Sequence, residues 1–362
     1  MLNSVIEETS ACERIIKTAA FLLPFFFLAT PSNAACYTEG ASGRLSNKCA
    51  IDKLDGVTVD AKTAELIDLK LKSEGNRQGL GFPLRIKPNT LTKAIYPVLA
   101  YSENINGGSS PAPLMIGNLG PFTVEEEFFS QEGALAGLGL GVSGRYIYDE
   151  GRYLTYGANA SYAHSPQHGI GITTTSANVC SVNHVKNWWY VDACANSSRV
   201  RKDLTDNTNS NLSIKSSKVF ESSDGIYSEA SFGINRYFAE SYTQNQLIFG
   251  YDTIHSNGVF SAFNVTLGES VKDKLTTKFA VSGSVSTQLA GKSLKLTASY
   301  SKANGEKWFS VERSENTYSV SATYPIWRNF RATLGYRRTD STIDYFDVRT
   351  PTFGIQFVPI EF

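Results

Sequence analysis

His255 and Ser256 are the neighbours in this chain whose types suit nucleophilic catalysis, and they sit inside the run from Tyr251 to Gly258. A base activates a hydroxyl only from within hydrogen-bond reach, and on an extended strand adjacent side chains point to opposite faces. Ser256, Asn257 and Gly258 have instead the composition of a tight turn between two strands. The spacing argues against an acyl-transfer centre. His164 and His168 flank Pro166 as turn residues, and neither they nor His184 has an Asp or Glu nearby to complete a metal set. Asp203 and Asp206 lack the spacing of a calcium loop, and no phosphate-binding glycine loop lies between a strand and a helix. The chain is therefore read as a non-enzyme, with no catalytic, cofactor or metal residues.

Cysteine chemistry is better supported. Of the five cysteines, Cys12 lies in an N-terminal leader, which leaves Cys36, Cys49, Cys180 and Cys194. An even number in an oxidising compartment reads as local disulfides, and the predicted bridges are Cys36 to Cys49 and Cys180 to Cys194. Between the second pair stand Trp188, Trp189 and Tyr190, with Arg199 and Arg201 just after. Two readings follow: a clipped hairpin that binds a ligand or lines a constriction, or aromatics at a membrane interface stabilised by a bridge.

The leader is a secretory signal over residues 1–34: Arg14 and Lys17 precede an apolar core from Ala19 to Ala29, then small residues ending at Ala34. That core of about 11 residues is too short for a membrane helix, which needs ~20. Asn33 lies three before Cys36, where a lipoprotein site would want an aliphatic residue. Residues 35–90 form a lead segment, periplasmic or plug-like. Within it Asp60 caps a predicted helix whose face carries Ala61, Ala64, Ile67 and Leu71, with Gly75 at its end.

From residue 91 to 362 the period becomes two. Phe279, Val281, Val285 and Leu289 share one face of a strand, and Ser282, Ser284, Ser286 and Gln288 the other. Comparable runs recur at 138–148, 154–162, 294–301, 317–324 and 330–337. Their apolar rows end in aromatics, as lipid-facing strands between two interfacial girdles must. The runs are longer than sandwich strands, and they predict an all-β transmembrane antiparallel barrel of about 14 strands. Its wet face includes Lys278, Lys295, Arg331 and Arg337, diluted by Ser and Thr. Short turns such as Ala290 to Lys292 belong on the periplasmic side; the stretches 104–120, 200–210 and 303–315 are expected as outward loops. A formal net charge of zero and the lack of a basic cluster exclude nucleic acid as a partner.

The closing strand ends on Phe362, with Ile360 and Val358 two and four residues before it. It resembles the C-terminal signature of Gram-negative outer-membrane β-barrel proteins, although Pro359 and Gln356 depart from its cleanest form. That resemblance implies an outer-membrane location, contact with outer-membrane lipids, and reading of Val358, Ile360 and Phe362 by the barrel-assembly machinery. The run at His255 is similar to the histidine-serine-asparagine motif of outer-membrane phospholipase A and of the lipid A deacylase barrel, but without the spacer between His and Ser. The stretches 96–108 and 334–347 resemble strands of surface lipoprotein assembly modifier barrels. The expected function is a passive pore or transport-associated channel for a small solute. The alternatives are a secretion or surface-assembly barrel for a client lipoprotein, and a structural or adhesive barrel.

Overall fold

A strand with one apolar and one polar face must put the two in different solvents, and fourteen such strands do so here by closing into an antiparallel barrel. This computed structural model describes residues 36, 38–54, 65, 68, 90–109, 114–115, 121–122, 125–149, 151–223, 225–308, 311–327, 330–357 and 360–361. The strands are β1 (Thr90–Ser102), β2 (Gly133–Asp149), β3 (Arg152–Ser165), β4 (Ile170–Lys186), β5 (Trp189–Arg201), β6 (Asp206–Ser223) and β7 (Ile226–Ala239). They continue as β8 (Tyr242–Ile254), β9 (Phe260–Gly268), β10 (Thr276–Leu289), β11 (Lys292–Trp308), β12 (Val311–Trp327), β13 (Phe330–Ser341) and β14 (Val348–Phe357).

Each strand pairs with the next, and β14 closes onto β1 through Leu99 opposite Ile355 and Ala100 opposite Gly354. The terminal pair Ile360–Glu361 extends that seam, with Ile95 opposite Ile360. Val358 and Phe362 lie outside the described residues, as does the leader. The first described strand of the barrel begins at Thr90.

The outer face carries large exposed apolar side chains: Leu138 is 64% exposed, Leu334 61% and Trp327 71%. Exposed aromatics bracket it. Tyr146, Tyr148, Trp189, Tyr251 and Trp327 lie toward one end, and Tyr101 and Tyr162 toward the other. A strand such as β3, 14 residues long, runs roughly 46 Å and rises about 35 Å at the usual tilt, enough to cross a hydrocarbon layer.

One end carries tight turns, for example between β4 and β5 and between β10 and β11; the other carries the long 103–132 connection from β1 to β2. Two of the expected outward loops are mostly strand. β5 runs to Arg201 and β6 resumes at Asp206; β11 runs to Trp308 and β12 resumes at Val311. These strand ends project beyond the apolar band, where both faces meet water and the alternation fades.

A helix, α1 (Gly43–Leu54), precedes the barrel. It was not expected, because its face toward the wall mixes Arg44 and Asn47 with Leu45 and Cys49 and shows no apolar stripe. Ala61, Ala64, Ile67 and Leu71, on which a helix was predicted, fall outside the described residues; Glu65 and Asp68 within that stretch are helical.

Candidate functional site: a helix held inside the lumen

Ser42 caps α1, its hydroxyl accepting the Leu45 N–H at 3.2 Å. The same hydroxyl donates to Glu229 Oε2 on β7 at 2.6 Å. Two residues further in, Arg44 reaches three strands at once. Its Nη1 and Nη2 donate to the two carboxylate oxygens of Asp192 on β5 at 3.1 and 2.9 Å, and its Nε donates to Glu229 at 2.9 Å. Nη2 adds Glu229 at 2.5 Å and Ser217 on β6 at 3.1 Å. The guanidinium lies 4.7 Å from the centre of the Tyr190 ring. Side-chain exposure is 8% for Arg44, 9% for Asp192 and 4% for Glu229, so this is a buried charge triad. Burial opposes the charge on Arg44, but the Glu229 and Asp192 carboxylates outweigh it and raise its pKa above the usual arginine range.

The residues before α1 reach the far wall. Glu39 pairs with Arg331 on β13 at 2.8 Å, and Gly40 packs on Phe260 of β9. Gly40 has φ +99°, and a Cβ there would stand 3.0 Å from the Phe260 ring. A segment of a few residues touches β5, β7, β9 and β13 together only from within the barrel. The face that carries Tyr190, Asp192, Ser217, Glu229 and Arg331 is thus the inner one. All these contacts lie near the end with the tight turns.

Beneath the ion pairs, Leu45, Cys36 and Cys49 join Tyr190, Val219, Tyr227, Ile254 and Phe260 in one buried apolar cluster. The Cys36–Cys49 bond ties the segment to its own helix, with Cα atoms 5.4 Å apart. Cys180 and Cys194 are also bonded, directly across the β4–β5 pair. Both predicted bridges are present.

The Trp188, Trp189, Tyr190 run divides between the two readings made of it. Trp189 is exposed on the outer face, as a girdle residue is. Tyr190 is fully buried against Arg44, and Trp188 packs on the lumen cluster with Lys48 Nζ 5.7 Å from its ring. Asn187 and Trp188 form the β4–β5 turn, both with positive φ (47° and 63°). A bulky residue is rarely found there, and in this turn it brings the indole to the helix.

Of the expected lumen cations, Arg331 holds Glu39, while Arg337 alternates onto the same face of β13. Lys295 stands opposite Ser286, which faces Gly40. Lys278 occupies a bulge between Thr277 and Phe279, so the ladder skips it. The four do not converge. The carboxylates that complete the site were missed in sequence, since Asp192 and Glu229 are isolated in strands that pair only with the fold.

At the other end, the 103–109 segment crosses to the β5–β6 turn. Lys202 Nζ donates to Asn104 O at 2.5 Å, the Leu204 N–H donates to Asn106 O at 2.8 Å, and Ile105 is fully buried with Leu135 and Ala163. Burial pushes the Lys202 ammonium below its ordinary pKa. His255 shares a hydrogen bond with Ser261 at 2.9 Å rather than pairing with Ser256, and burial lowers the ring's pKa. Ser256 and Asn257 form the expected turn. No group of three metal-ligating side chains occurs among the described residues.

No family model and no curated protein matches the chain in sequence. Among solved structures it is similar to a BenF-like porin from Pseudomonas fluorescens Pf-5, at 7% identity and TM-score 0.37 over 76% of this chain and 100% of that one. Acinetobacter baumannii OccAB3 is similar at 6% identity and TM-score 0.36, over 76% and 99%. The beta domain of the Bordetella autotransporter BrkA follows at 10% identity and TM-score 0.29, over 75% and 99%. Identities this low leave the chemistry of the lumen to be read from its own residues.

Proposed function

We propose that this protein is an outer-membrane channel of a Gram-negative bacterium, closed at its periplasmic mouth by its own N-terminal helix. The observation that carries this reading is the Arg44 triad: an arginine from outside the barrel sequence is buried in the lumen against carboxylates of two wall strands. A barrel that only displayed loops would have no use for charged wall residues matched to an internal segment. The aromatic-bracketed outer face supports the lipid setting, and eight strands already leave just enough interior for side chains, so fourteen leave room for a helix and for a solute path once that helix moves.

The charged hold of the helix centres on Arg44, with Ser42, Glu39 and the apolar cluster of Leu45, Cys36 and Cys49 beside it. Removing one partner of a buried, hydrogen-bonded charge set costs about 3–5 kcal/mol, which converts to a shift of roughly a hundredfold or more in the docking equilibrium. The test is planar-bilayer conductance of the mature protein and of Arg44→Ala. The native form is expected to conduct rarely and the variant steadily. If neither conducts although both migrate as heat-modifiable barrels, the channel reading fails, and an assembly or structural role replaces it.

A further inference from the structure

Between the two ends the inner wall carries a side-chain class that the gate does not use. Asn159, Asn178, Asn196, Asn211, Asn235 and Gln246 stand one on each of six consecutive strands, β3 to β8. Their inward direction follows from alternation: Asn196 shares its face of β5 with Tyr190 and Asp192, Asn211 its face of β6 with Ser217, and Asn235 its face of β7 with Glu229. The register makes them neighbours. Asn178 is opposite Asn196, Asn196 opposite Asn211, and Asn235 opposite Gln246.

The amides are oriented rather than loose. Asn196 Nδ2 donates to Asn211 Oδ1 at 2.8 Å, and Asn235 Nδ2 to Gln246 Oε1 at 2.8 Å. Gln246 Nε2 continues to Gln244 Oε1 at 2.9 Å. The first two lie across glycines: a Cβ on Gly141 would stand 2.8 Å from Asn159 Oδ1, and one on Gly157 2.7 Å from Asn178 Oδ1. Both glycines are the register partners of those asparagines, so the wall is cut away where the amides rest. Asn159 and Asn178 are exposed to the lumen and the other four are half-buried.

On the facing strands the inner rows carry hydroxyls between the cations Lys295, Arg331 and Arg337, with Ser299 bonded to Ser319 at 2.7 Å and Thr323 to Thr333 at 3.0 Å. A carboxamide offers donors and an acceptor in one plane, and a hydroxyl offers both roles on one atom. Neither carries charge. The belt matches vicinal hydroxyls, which also donate and accept, and its own groups give an ion no net attraction, the inward cations Lys215, Lys295 and Arg337 not being among them; hydrogen-bonding groups and fields of this kind decide what a pore takes. We infer that the lumen binds a neutral, linear polyhydroxylated solute, an oligosaccharide, along this carboxamide belt. The belt lies four to six residues along the strands from Asp192, Ser217 and Glu229, roughly 13–20 Å of path. A solute arriving through the long-loop mouth meets it before α1.

The substrate class rests on the channel reading, but its test is binding and needs no conduction. Maltohexaose is titrated calorimetrically into the folded full-length barrel and into Arg44→Ala, with hexagalacturonate as the charged chain of equal length. Maltohexaose is expected to bind at least one of the two forms, and hexagalacturonate to bind at least tenfold more weakly. Asn196→Leu with Asn211→Leu, similar in size and without polar atoms, should weaken maltohexaose about tenfold or more while the barrel stays heat-modifiable. Absence of maltohexaose binding to both forms, equal binding of the uronate, or unchanged binding to the leucine variant overturns the inference. Conductance on the same samples keeps the two ideas apart: an open channel indifferent to maltohexaose sinks the belt alone, and a barrel that binds it yet stays closed in both the native and the Arg44→Ala form sinks the channel alone.

Discussion

Trp189 and Tyr190 are adjacent in the chain and face different solvents. The first lies on the outer surface, and the second stacks beside Arg44 in the lumen. Substitutions should separate them. Tyr190→Ala removes a fully buried aromatic, which typically costs about 3–5 kcal/mol, and should speed amide hydrogen exchange across residues 43–54. Trp189→Ala should leave that exchange unchanged. Tyr190→Phe gives a sharper result: the Tyr190 hydroxyl is buried without a hydrogen-bond partner among the described residues. Removing it should hold or raise stability by about 1 kcal/mol, and a clear loss in urea unfolding would mean that the hydroxyl is satisfied after all. Asp192 and Glu229 were invisible as site residues for a simple reason. An isolated acid on a polar strand face looks like any solvated acid until another segment brings its counter-ion.

At the scale of the element, α1 departs from what a helix of 12 residues normally offers. Isolated helices of this length are marginal in water, and this one lacks an apolar stripe to dock by. Its order is supplied by the Ser42 cap, the Lys48–Asp52 pair one turn apart, and the Cys36–Cys49 bond. Closing a loop of about that size is worth ~3 kcal/mol in the chain-entropy model. The double variant Cys36→Ser with Cys49→Ser should therefore raise exchange through 43–54 and the open probability of the channel, leaving exchange in β5 to β8 as it was. Equal exchange with and without the bond would show that the ion pairs alone hold the helix. The Cys180–Cys194 bond joins strands already laddered through thirteen register pairs, and its removal should leave α1 untouched.

For the whole molecule, closure is the dominant requirement, since backbone groups at an open edge in hydrocarbon have no water to bond. The seam between β14 and β1 is also the longest-range pairing, joining Leu99 to Ile355, and it is where assembly must finish. Deleting Phe362, the last residue of the strand read as an assembly signal, should lower outer-membrane insertion while export continues. Undiminished heat-modifiable barrel in the outer membrane of a deletion strain would count against that role.

Strand alternation was sufficient to read the barrel and its strand number from sequence, because a period of two is local and repeats on every strand. The two disulfides were equally legible from spacing and compartment. Placement of the lead segment was not. Whether Ser42, Arg44 and Glu39 lie in water or in the lumen depends on Glu229, Asp192 and Arg331, partners 187, 148 and 292 positions away. The carboxamide belt escaped for the same reason: single asparagines on separate strands become a row only when register sets Asn178, Asn196 and Asn211 side by side. The sequence alone determined which face of each strand is apolar, since that is written residue by residue. Only the tertiary structure decided what the polar faces meet, because register and closure depend on all fourteen strands at once.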